Sequence, residues 1–263
     1  MKAPFLFVKY SGNGNDFIIL NRPSENPTSE IITQMCDRYF GIGADGVLIL
    51  SESAVADGRM RIFNADGGEA EMCANGLRCL ATYLDDLSSE KKSSYTIQTM
   101  NSVYTVYNLN HAMAIEMAEI KDRNLYDFTG KHPFEKSFYI NTGVPHLVFL
   151  VTNAHSINIK EIAPPYRHHH MFPNGSNVSF VEVKDEGSQF AYVRTFERGV
   201  EDETHSCGTG LTASALALEH WFGWRKEIKL QTKGGKQKVS VGDKVFYSGE
   251  VRFCFSGEYP LER

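Results

Sequence analysis

The sequence predicts an α/β protein of the α+β type, made of two similar domains that each wrap a β-sheet around a central helix. Three observations predict this fold class. Most of the chain consists of short segments rich in β-branched and aromatic residues, and only a few segments have helical periodicity. In addition, the motifs of the first half recur in the second half about 130 residues later.

Fourteen segments are predicted to be strands, because they are rich in residues that favour β-structure and are bounded by Gly, Asn, Asp or Ser. In chain order they are LFVKYS, DFIILN, GVLIL, RMRIFN, YTIQTM, YTVYNL, AMAIEM, SFYINT, HLVFLV, NVSFVEV, FAYVRTF, EIKLQT, KVSVG and VRFCF.

Three segments are predicted to be helices. TSEIITQMCDRY begins with an N-cap signal and ends before Gly41. After Cys73, apolar residues recur on one helical face, at Leu77, Leu80, Ala81, Leu84 and Leu87. After Cys207, LTASALALEHWF is apolar nearly all round, which predicts a buried helix that ends at Gly223.

The segments around these two cysteines resemble each other. RIFNADGGEAEMCANGL and RTFERGVEDETHSCGTGL both read R-x-F, then an acidic loop containing glycine, then C-x-x-G-L at the start of a helix. Earlier in each half, SGNGNDFIIL resembles TGVPHLVFL. Agreement in order and offset indicates an internal duplication. We therefore predict two closely packed domains, 1–120 and 121–250, that face each other across a cleft, with the boundary in the polar stretch 121–136.

The composition is that of an ordinary globular protein, with 42% hydrophobic and 22% charged residues in a chain of 263. The formal net charge of −5, without a cluster of Lys and Arg, argues against a nucleic-acid partner. The N-terminal apolar run is too short for a signal peptide, and no segment approaches the roughly 18 apolar residues of a membrane span. These features predict a cytoplasmic protein without a membrane partner.

The five cysteines are odd in number and lack CxxC spacing, which argues against a disulfide framework or a structural zinc site. A small buried hydrophobe is the usual role of a cytosolic cysteine, and this reading suits Cys36 and Cys254. Cys79, six positions after Cys73, is expected in the core. The similar loops around Cys73 and Cys207 call for a different explanation.

A thiol at a helix N-terminus feels the positive end of the helix dipole, which is expected to lower its pKa. The N–H groups at the same helix end bind a carboxylate. Two facing domains then present two thiols to the opposite faces of an amino acid's α-carbon. A thiolate removes the α-proton on one face while a thiol delivers a proton on the other, which inverts the stereocentre.

Several long motifs follow one another along the chain: KYSGNGNDF, GIGADG, RIFNADGGEAEMCANGLRC, TGVPH, FPNGSNVSFV, RTFERG and ETHSCGTG. In these motifs and their order the chain resembles the diaminopimelate epimerases, which interconvert LL- and meso-diaminopimelate in lysine and peptidoglycan synthesis without pyridoxal phosphate. This resemblance implies the two-domain epimerase fold, a homodimer, no cofactor and no metal. It also implies that the last strand, in 251–263, returns to the first domain.

The resemblance also implies a role for individual residues. Cys73 and Cys207 match the acid/base pair, and His146 matches a histidine thought to pair with Cys73. Glu197 and Arg198 match residues that engage the distal end of the substrate, and Glu197 also influences Cys207. The substrate-binding asparagines of the family match Asn15, Asn64 and Asn177. The residues expected to cradle the α-carboxylate with their N–H groups are Ala74, Asn75, Gly208 and Thr209.

Four features depart from the family pattern. Val144 stands where the family usually has an Asn that helps to bind the distal end of the substrate, and Ala74 replaces a common Gly. The loop between Arg198 and Cys207 is longer than the commonest form, and His205 is unusual. Because a valine side chain cannot hydrogen-bond, these departures favour a less strict substrate requirement.

Three alternative functions therefore remain at this point. The first is a racemase of broader range that accepts smaller amino acids such as glutamate, or a proline-racemase-like enzyme. The second is a dithiol redox protein that cycles Cys73 and Cys207 through a disulfide. The third is a metal site at RHHHM, residues 167–171, although three adjacent histidines cannot all face one ion from a strand.

Overall fold

The computed structural model describes residues 3–109, 112–117 and 133–261. The chain divides into two compact units, one formed by Met1–Ile115 with Gly249–Arg263 and the other by Glu116–Ser248. Strands predominate and helices are few in the described residues, which confirms the predicted α+β fold class. Of the predicted boundary stretch, residues 121–132 lie outside the described part of the chain.

The described residues of the first unit form eight strands and two helices. The strands are β1 (Phe5–Gly12), β2 (Asn15–Asn21), β3 (Gly46–Ser51), β4 (Gly58–Asn64), β5 (Glu69–Ala70), β6 (Ser94–Gln98), β7 (Val103–Leu109) and β8 (Ala112–Glu116). The helices are α1 (Ser29–Cys36) and α2 (Ala74–Leu87).

The second unit follows with a similar series. Its strands are β9 (Lys136–Asn141), β10 (Pro145–Leu150), β11 (Asn177–Asp185), β12 (Phe190–Glu197), β13 (Asp202–Thr204), β14 (Lys226–Thr232), β15 (Gly235–Val241) and β16 (Val245–Gly249). Its helices are a 3₁₀ turn (Ala154–Ser156), α3 (Ile159–Ile162), α4 (Pro164–Arg167) and α5 (Gly208–Phe222). The chain then ends with β17 (Val251–Tyr259), which pairs antiparallel with β1 in the first unit.

Strand pairing in the first unit is repeated in the second. In the first unit, β1–β2 is antiparallel, β2–β3 parallel, β3–β4 antiparallel, β4–β6 parallel and β6–β7 antiparallel. In the second unit, the pairs β9–β10, β10–β11, β11–β12, β12–β14 and β14–β15 have the same directions in the same order. This shared topology is the structural counterpart of the repeated sequence motifs.

The apolar runs of β2 and β3 are explained by burial on both faces of the sheet. Phe17, Ile19 and Leu48 pack with Leu77 and Leu80 of α2 in one core cluster. The alternate residues of the same strands contribute to a second cluster with α1; it includes Ile18, Leu20, Val47, Ile49, Ile32 and Met35. The sheet thus carries α2 on one side and α1 on the other.

The three predicted helices are confirmed, with corrections at their ends. Helix α1 begins after the N-cap Thr28, but it ends at Cys36, earlier than predicted. Helix α2 buries the predicted apolar face, except that Leu87 in its last turn is 58% exposed. Helix α5 is buried along most of its length and ends at Gly223, whose φ of 69° suits glycine.

Some short elements are absent from the sequence prediction, and one cysteine lies elsewhere than expected. Strands β5 and β13 have two and three residues, which is too short for a recognisable alternation. The strand β16 and the short helices between β10 and β11 were also not predicted. Cys36 and Cys79 are buried as predicted, but the expectation of a buried Cys254 is wrong, because this residue lies on the exposed strand β17.

Candidate active site

Cys73 is the N-cap residue of α2, with extended backbone angles of φ −142° and ψ 122°. Its sulfur accepts a hydrogen bond from the Gly76 N–H at 3.5 Å. A thiol at this position thus replaces the serine or aspartate that usually caps a helix. Gly76 also packs closely here, since a Cβ on it would lie 3.3 Å from the Leu48 Cδ2 atom. The side chain of Cys73 is half-buried.

Two predicted substrate-binding residues lie beside Cys73 in the same unit. The Asn15 Oδ1 atom is 3.7 Å from the Cys73 Sγ and accepts a hydrogen bond from Asn75 Nδ2 at 3.3 Å. Asn15 lies at the start of β2, while Asn75 is in the first turn of α2 and is buried. The structure therefore brings these three residues of the first unit together.

Arg78, which the sequence analysis did not single out, lies directly behind this group. Its side chain is completely buried, and its Nη2 atom donates to Asn75 Oδ1 at 2.8 Å and to Asn13 Oδ1 at 3.0 Å. A guanidinium buried in this way is stabilised by these amide oxygens. An arginine within an otherwise apolar helical stretch was the only signal in the sequence.

Cys207 is the corresponding N-cap residue of α5 in the second unit. Its side chain is buried, and its Sγ atom lies 3.4 Å from the Thr209 Oγ1 atom. The glycine at position 210 is closely packed, because a Cβ there would lie 3.3 Å from the sulfur and 3.0 Å from the Thr195 hydroxyl. Both units thus have a cysteine cap followed three residues later by a close-packed glycine.

The expectation that the helix N-terminus lowers the thiol pKa is wrong for Cys207. Burial raises the pKa of Cys207, and the negative charge of the Glu197 carboxylate raises it further. The Thr209 hydroxyl and the Gly210 N–H act in the opposite direction but do not offset these effects. Cys207 is therefore a protonated thiol at neutral pH in the chain without a ligand.

Glu197 and Asn64 occupy equivalent positions, at the C-terminal ends of β12 and β4. Burial raises the pKa of Glu197, while its interaction with the Cys207 thiol lowers it in part. A carboxyl group with a raised pKa next to a thiol can exchange a proton with it. Asn64 is exposed, and its backbone forms the turn of the β4–β5 hairpin through hydrogen bonds with Gly67 and Gly68.

Asn177 and Arg198 contact each other in the second unit. Asn177 begins β11, and its side-chain oxygen accepts a hydrogen bond from the Arg198 backbone N–H at 2.7 Å. Its Nδ2 atom donates to the Pro145 carbonyl at 3.0 Å. The Arg198 guanidinium donates to the Asn174 carbonyl at 3.0 Å. Asn177 thereby joins the start of β10 to the segment that follows β12.

His146 lies on β10, opposite Asn177 on β11, and is completely buried. Within the described residues, neither of its ring nitrogens has a hydrogen-bond partner. Burial, assisted by the positive charge of Arg198, lowers the pKa of His146 to about 3. His146 is therefore neutral at physiological pH. Its pairing with Cys73, which belongs to the other unit, stays a prediction.

We expect His146 to make the folded chain sensitive to acid. The unfolded chain binds a proton at this residue below its ordinary pKa of 6.5, whereas the folded chain does so only near pH 3. Stability is therefore lost as the pH falls through this window, by about 1.4 kcal/mol per pH unit from this residue. Urea unfolding at several pH values between 6.5 and 4 should show a shallower decline for His146→Phe. Equal slopes in the two proteins would contradict this account.

The four residues predicted to cradle a carboxylate occupy the first turns of the two central helices. Ala74 and Asn75 begin α2, and Gly208 and Thr209 begin α5. The first N–H groups of an α-helix have no partner within the helix and attract anions. Neither helix has an acidic residue in its first turn that would occupy these groups. The carbonyl of Thr209 accepts a hydrogen bond from the Thr142 hydroxyl at 3.1 Å, which ties α5 to the β9–β10 turn.

The features that suggested other functions have ordinary surroundings. Val144 is half-buried in the β9–β10 turn, where its carbonyl accepts a hydrogen bond from the Thr142 N–H. The RHHHM segment begins in α4, and the ring centroids of His169 and His170 lie 4.2 Å apart with the ring planes tilted by 36°. Among the described residues, no three His, Cys, Asp or Glu side chains are grouped so that they could hold a metal ion.

Comparison with solved structures defines the class of fold. The crystal structure of a phenazine biosynthesis protein of the PhzF family from Bacillus anthracis superposes with a TM-score of 0.75 and 17% sequence identity. The superposition covers 99% of this chain and 100% of that one. The two proteins therefore share the same two-unit epimerase-like fold. None of the described helices is long and apolar enough to cross a membrane.

Sequence comparison then assigns the family. The family model described as diaminopimelate epimerase matches residues 7–120 and 138–254. The chain is 35% identical to the diaminopimelate epimerase of Caldanaerobacter subterraneus, over 97% of this chain and 99% of that protein. It is 40% identical to the diaminopimelate epimerase of Methanothrix thermoacetophila, over 92% and 91% of the two chains. The chain belongs to the diaminopimelate epimerase family, whose members are isomerases.

Proposed function

We propose that this chain is a diaminopimelate epimerase, which interconverts LL- and meso-2,6-diaminopimelate without pyridoxal phosphate or another cofactor. The observation that carries the proposal is the duplicated thiol: each unit places one cysteine at the N-cap of its central helix. A family of isomerases that act on an amino-acid stereocentre gives these two thiols a common purpose. Cys73 and Cys207 are the proposed acid/base pair.

The reaction consists of two proton transfers, each of which moves one proton between Cα and a sulfur. A thiolate on one face of Cα takes the α-proton, so that the C–H bond breaks and an S–H bond forms. The electron pair left on Cα is delocalised into the carboxylate. The thiol on the opposite face then gives its proton to Cα and becomes the thiolate. The two sulfurs have thereby exchanged protonation states, and the same steps run in reverse from the other epimer.

The protein must also stabilise the negative charge that develops on the substrate's carboxylate. The N–H groups of Ala74, Asn75, Gly208 and Thr209 bind the negative charge that grows on the carboxylate as the α-proton leaves. Donors fixed at helix ends need no reorganisation when the charge develops. We assign the α-carboxylate to these groups.

Proton exchange at Cys207 is assigned to Glu197. Because the pKa of Cys207 is raised, its proton must leave before the sulfur can act as a base. Glu197 interacts with this thiol and has a raised pKa itself, which makes it a better proton acceptor than an ordinary carboxylate. His146, neutral at physiological pH, is assigned to support of Cys73.

The distal end of the substrate is assigned to Asn64, Asn177, Glu197 and Arg198. The Arg198 guanidinium offers a planar fork of donors suited to a second carboxylate. Asn15, beside Cys73, is assigned to the reacting end of the substrate. The distal contacts are what distinguish diaminopimelate from amino acids with a single stereocentre.

Val144 favours a second candidate, a racemase of broader range in the same family. An apolar side chain at this half-buried position offers no hydrogen bond to a distal amino or carboxylate group. The requirement for a second amino-acid centre is then weaker, and a smaller substrate such as glutamate is accepted. Substrate range, rather than reaction type, separates the two candidates.

The test is proton NMR of the reduced protein in D₂O, following loss of the α-proton signal from LL-diaminopimelate and separately from L-glutamate. We expect exchange with diaminopimelate. Exchange with both substrates would replace the strict epimerase by the broader racemase. Exchange with neither, while Cys73 and Cys207 are confirmed to be reduced, would contradict both candidates and favour the dithiol redox protein.

We also propose that the chain acts as a cytoplasmic homodimer. Large apolar side chains are exposed on the paired strands β1 and β17: Leu6, Phe253 and Phe255. A second copy of the chain would cover these side chains. Sedimentation velocity distinguishes a species of 29.6 kDa from one of twice that mass.

A further inference from the structure

A chain of hydrogen bonds passes beside Cys73, and every bond in it has the same direction. Arg78 Nη2 donates to Asn75 Oδ1 at 2.8 Å. Asn75 Nδ2 donates to Asn15 Oδ1 at 3.3 Å, and Asn15 Nδ2 donates to Asp45 Oδ2 at 2.9 Å. Hydrogen bonds aligned in this way polarise one another. The chain thus leads from a buried cation to a carboxylate through two amides.

The charged ends determine how both amides are turned. A guanidinium only donates hydrogen bonds and a carboxylate only accepts them. Arg78 must therefore face the oxygen of Asn75, and Asp45 must face the NH₂ group of Asn15. The oxygen of Asn15 is then directed at Cys73, 3.7 Å from the sulfur. An acceptor in this position binds the S–H form of the thiol and repels the thiolate.

Asp45 is itself held by three donors. Its Oδ2 atom accepts the Asp16 backbone N–H at 3.2 Å as well as the Asn15 amide. Its Oδ1 atom accepts Arg38 Nη2 at 2.7 Å. Asn15 begins β2 and Asp45 directly precedes β3, its parallel neighbour, so the sheet register brings the two side chains together.

We propose that Asp45 is a positioning residue for Cys73. By holding the Asn15 amide with its oxygen toward the sulfur, Asp45 keeps Cys73 protonated in the chain without substrate. Cys73 is then ready to deliver a proton to Cα, a step that rests on the proposed function. The Gly76 N–H favours the thiolate instead, so removal of Asp45 shifts the balance toward the thiolate.

The test measures the thiol directly. Cys73 is alkylated with iodoacetamide across a range of pH, and the modified peptide is quantified by mass spectrometry in the native chain and in Asp45→Ala. Because the thiolate is the reactive form, we expect the rate at pH 7 to rise about threefold or more in the variant. The buried thiols of Cys36 and Cys79 should stay unmodified, which verifies that the variant is folded. An unchanged profile at Cys73 would overturn the proposal.

Asp45→Ala also removes a negative charge. The effect of this lost charge on Cys73 has to be separated from the effect of losing the fixed orientation of the Asn15 amide. The charged and titratable groups around the hydrogen-bond chain include Lys9, Asp16, Cys36, Arg38, Arg78 and Cys79. Asn15→Leu keeps the charge of Asp45, so a rise in the alkylation rate in that variant cannot come from a lost charge. Glu52→Gln removes one charge from the exposed surface of the same unit and should leave the profile unchanged.

A second variant keeps the test decisive if Asp45→Ala does not fold. Asn15→Leu removes the oxygen that faces Cys73 but leaves Asp45 in contact with Arg38, and it should also speed alkylation at pH 7. No increase in Asn15→Leu would overturn the proposal. Alkylation needs no substrate, so its outcome is independent of the D₂O exchange experiment. Failure of the proposed reaction and failure of the positioning role are therefore distinguishable.

Discussion

Replacement of either Cys73 or Cys207 by alanine is expected to abolish epimerisation in both directions. In the proposed mechanism, each thiol supplies one of the two proton transfers, and neither face of Cα can be served by the other thiol. We expect kcat to fall by about 10³-fold or more in each variant, since a lost acid or base alone costs about 10²- to 10⁴-fold. The two proton transfers are measured separately. Loss of the α-proton signal in D₂O reports removal of the proton, and formation of the second epimer reports its delivery to the opposite face.

The chain contains its own control for this experiment. Cys254 is an exposed thiol on β17 that the proposed chemistry does not use, and Cys254→Ser should keep the activity of the native chain. Both alanine variants should remain folded, with stability changes within about 1 kcal/mol, because a cysteine is a small side chain and a weak helix cap. Substantial epimerisation by either alanine variant would contradict the two-base mechanism.

The fold was predictable because the relevant signals are local or repeated. The runs of β-branched and apolar residues in β2 and β3 indicated strands, and the recurrence of R-x-F with C-x-x-G-L indicated a duplication. The error at Leu87 has a simple cause: a periodic pattern does not say where the covering sheet ends. Cys254 was misplaced because residue type alone predicts average burial, whereas the exposure of a strand depends on its neighbours.

The candidate site was predictable only in part. The importance of Cys73 and Cys207 could be predicted from the repeated motif and from the helices that begin directly after them. Asp45 and Arg78 were not, because their contacts depend on topology: Asp45 meets Asn15 across 30 positions, and Arg78 meets Asn13 across 65. The raised pKa of Cys207 was also missed, since the helix dipole can be read from sequence while burial and the approach of Glu197 cannot.

Arg78→Ala is expected to cause a large loss of stability in the first unit. The change removes the donor shared by Asn13 and Asn75, both buried, and leaves a cavity beneath α2. Loss of a buried charged donor and of a large buried side chain predicts a decrease of about 3 kcal/mol or more in the free energy of unfolding, measured with urea. Arg22→Ala, which removes an exposed ion pair with Glu52, should cost less than about 1 kcal/mol.

A third variant separates the cavity from the hydrogen bonds. Arg78→Met retains most of the side-chain volume but no donor, so its deficit relative to the native chain measures the polar contribution. Gly249 packs directly against this pair of side chains, because a Cβ there would lie 2.8 Å from Arg78 Nη1 and 2.2 Å from Asn13 Oδ1. The returning strand β17 begins two residues later, so Arg78 lies against the chain where it re-enters the first unit. Arg78→Ala should therefore speed amide hydrogen exchange in β17 and β1 more than in β3. A loss of less than about 1 kcal/mol in the free energy of unfolding would show that the buried guanidinium is not needed to hold this part of the chain in place.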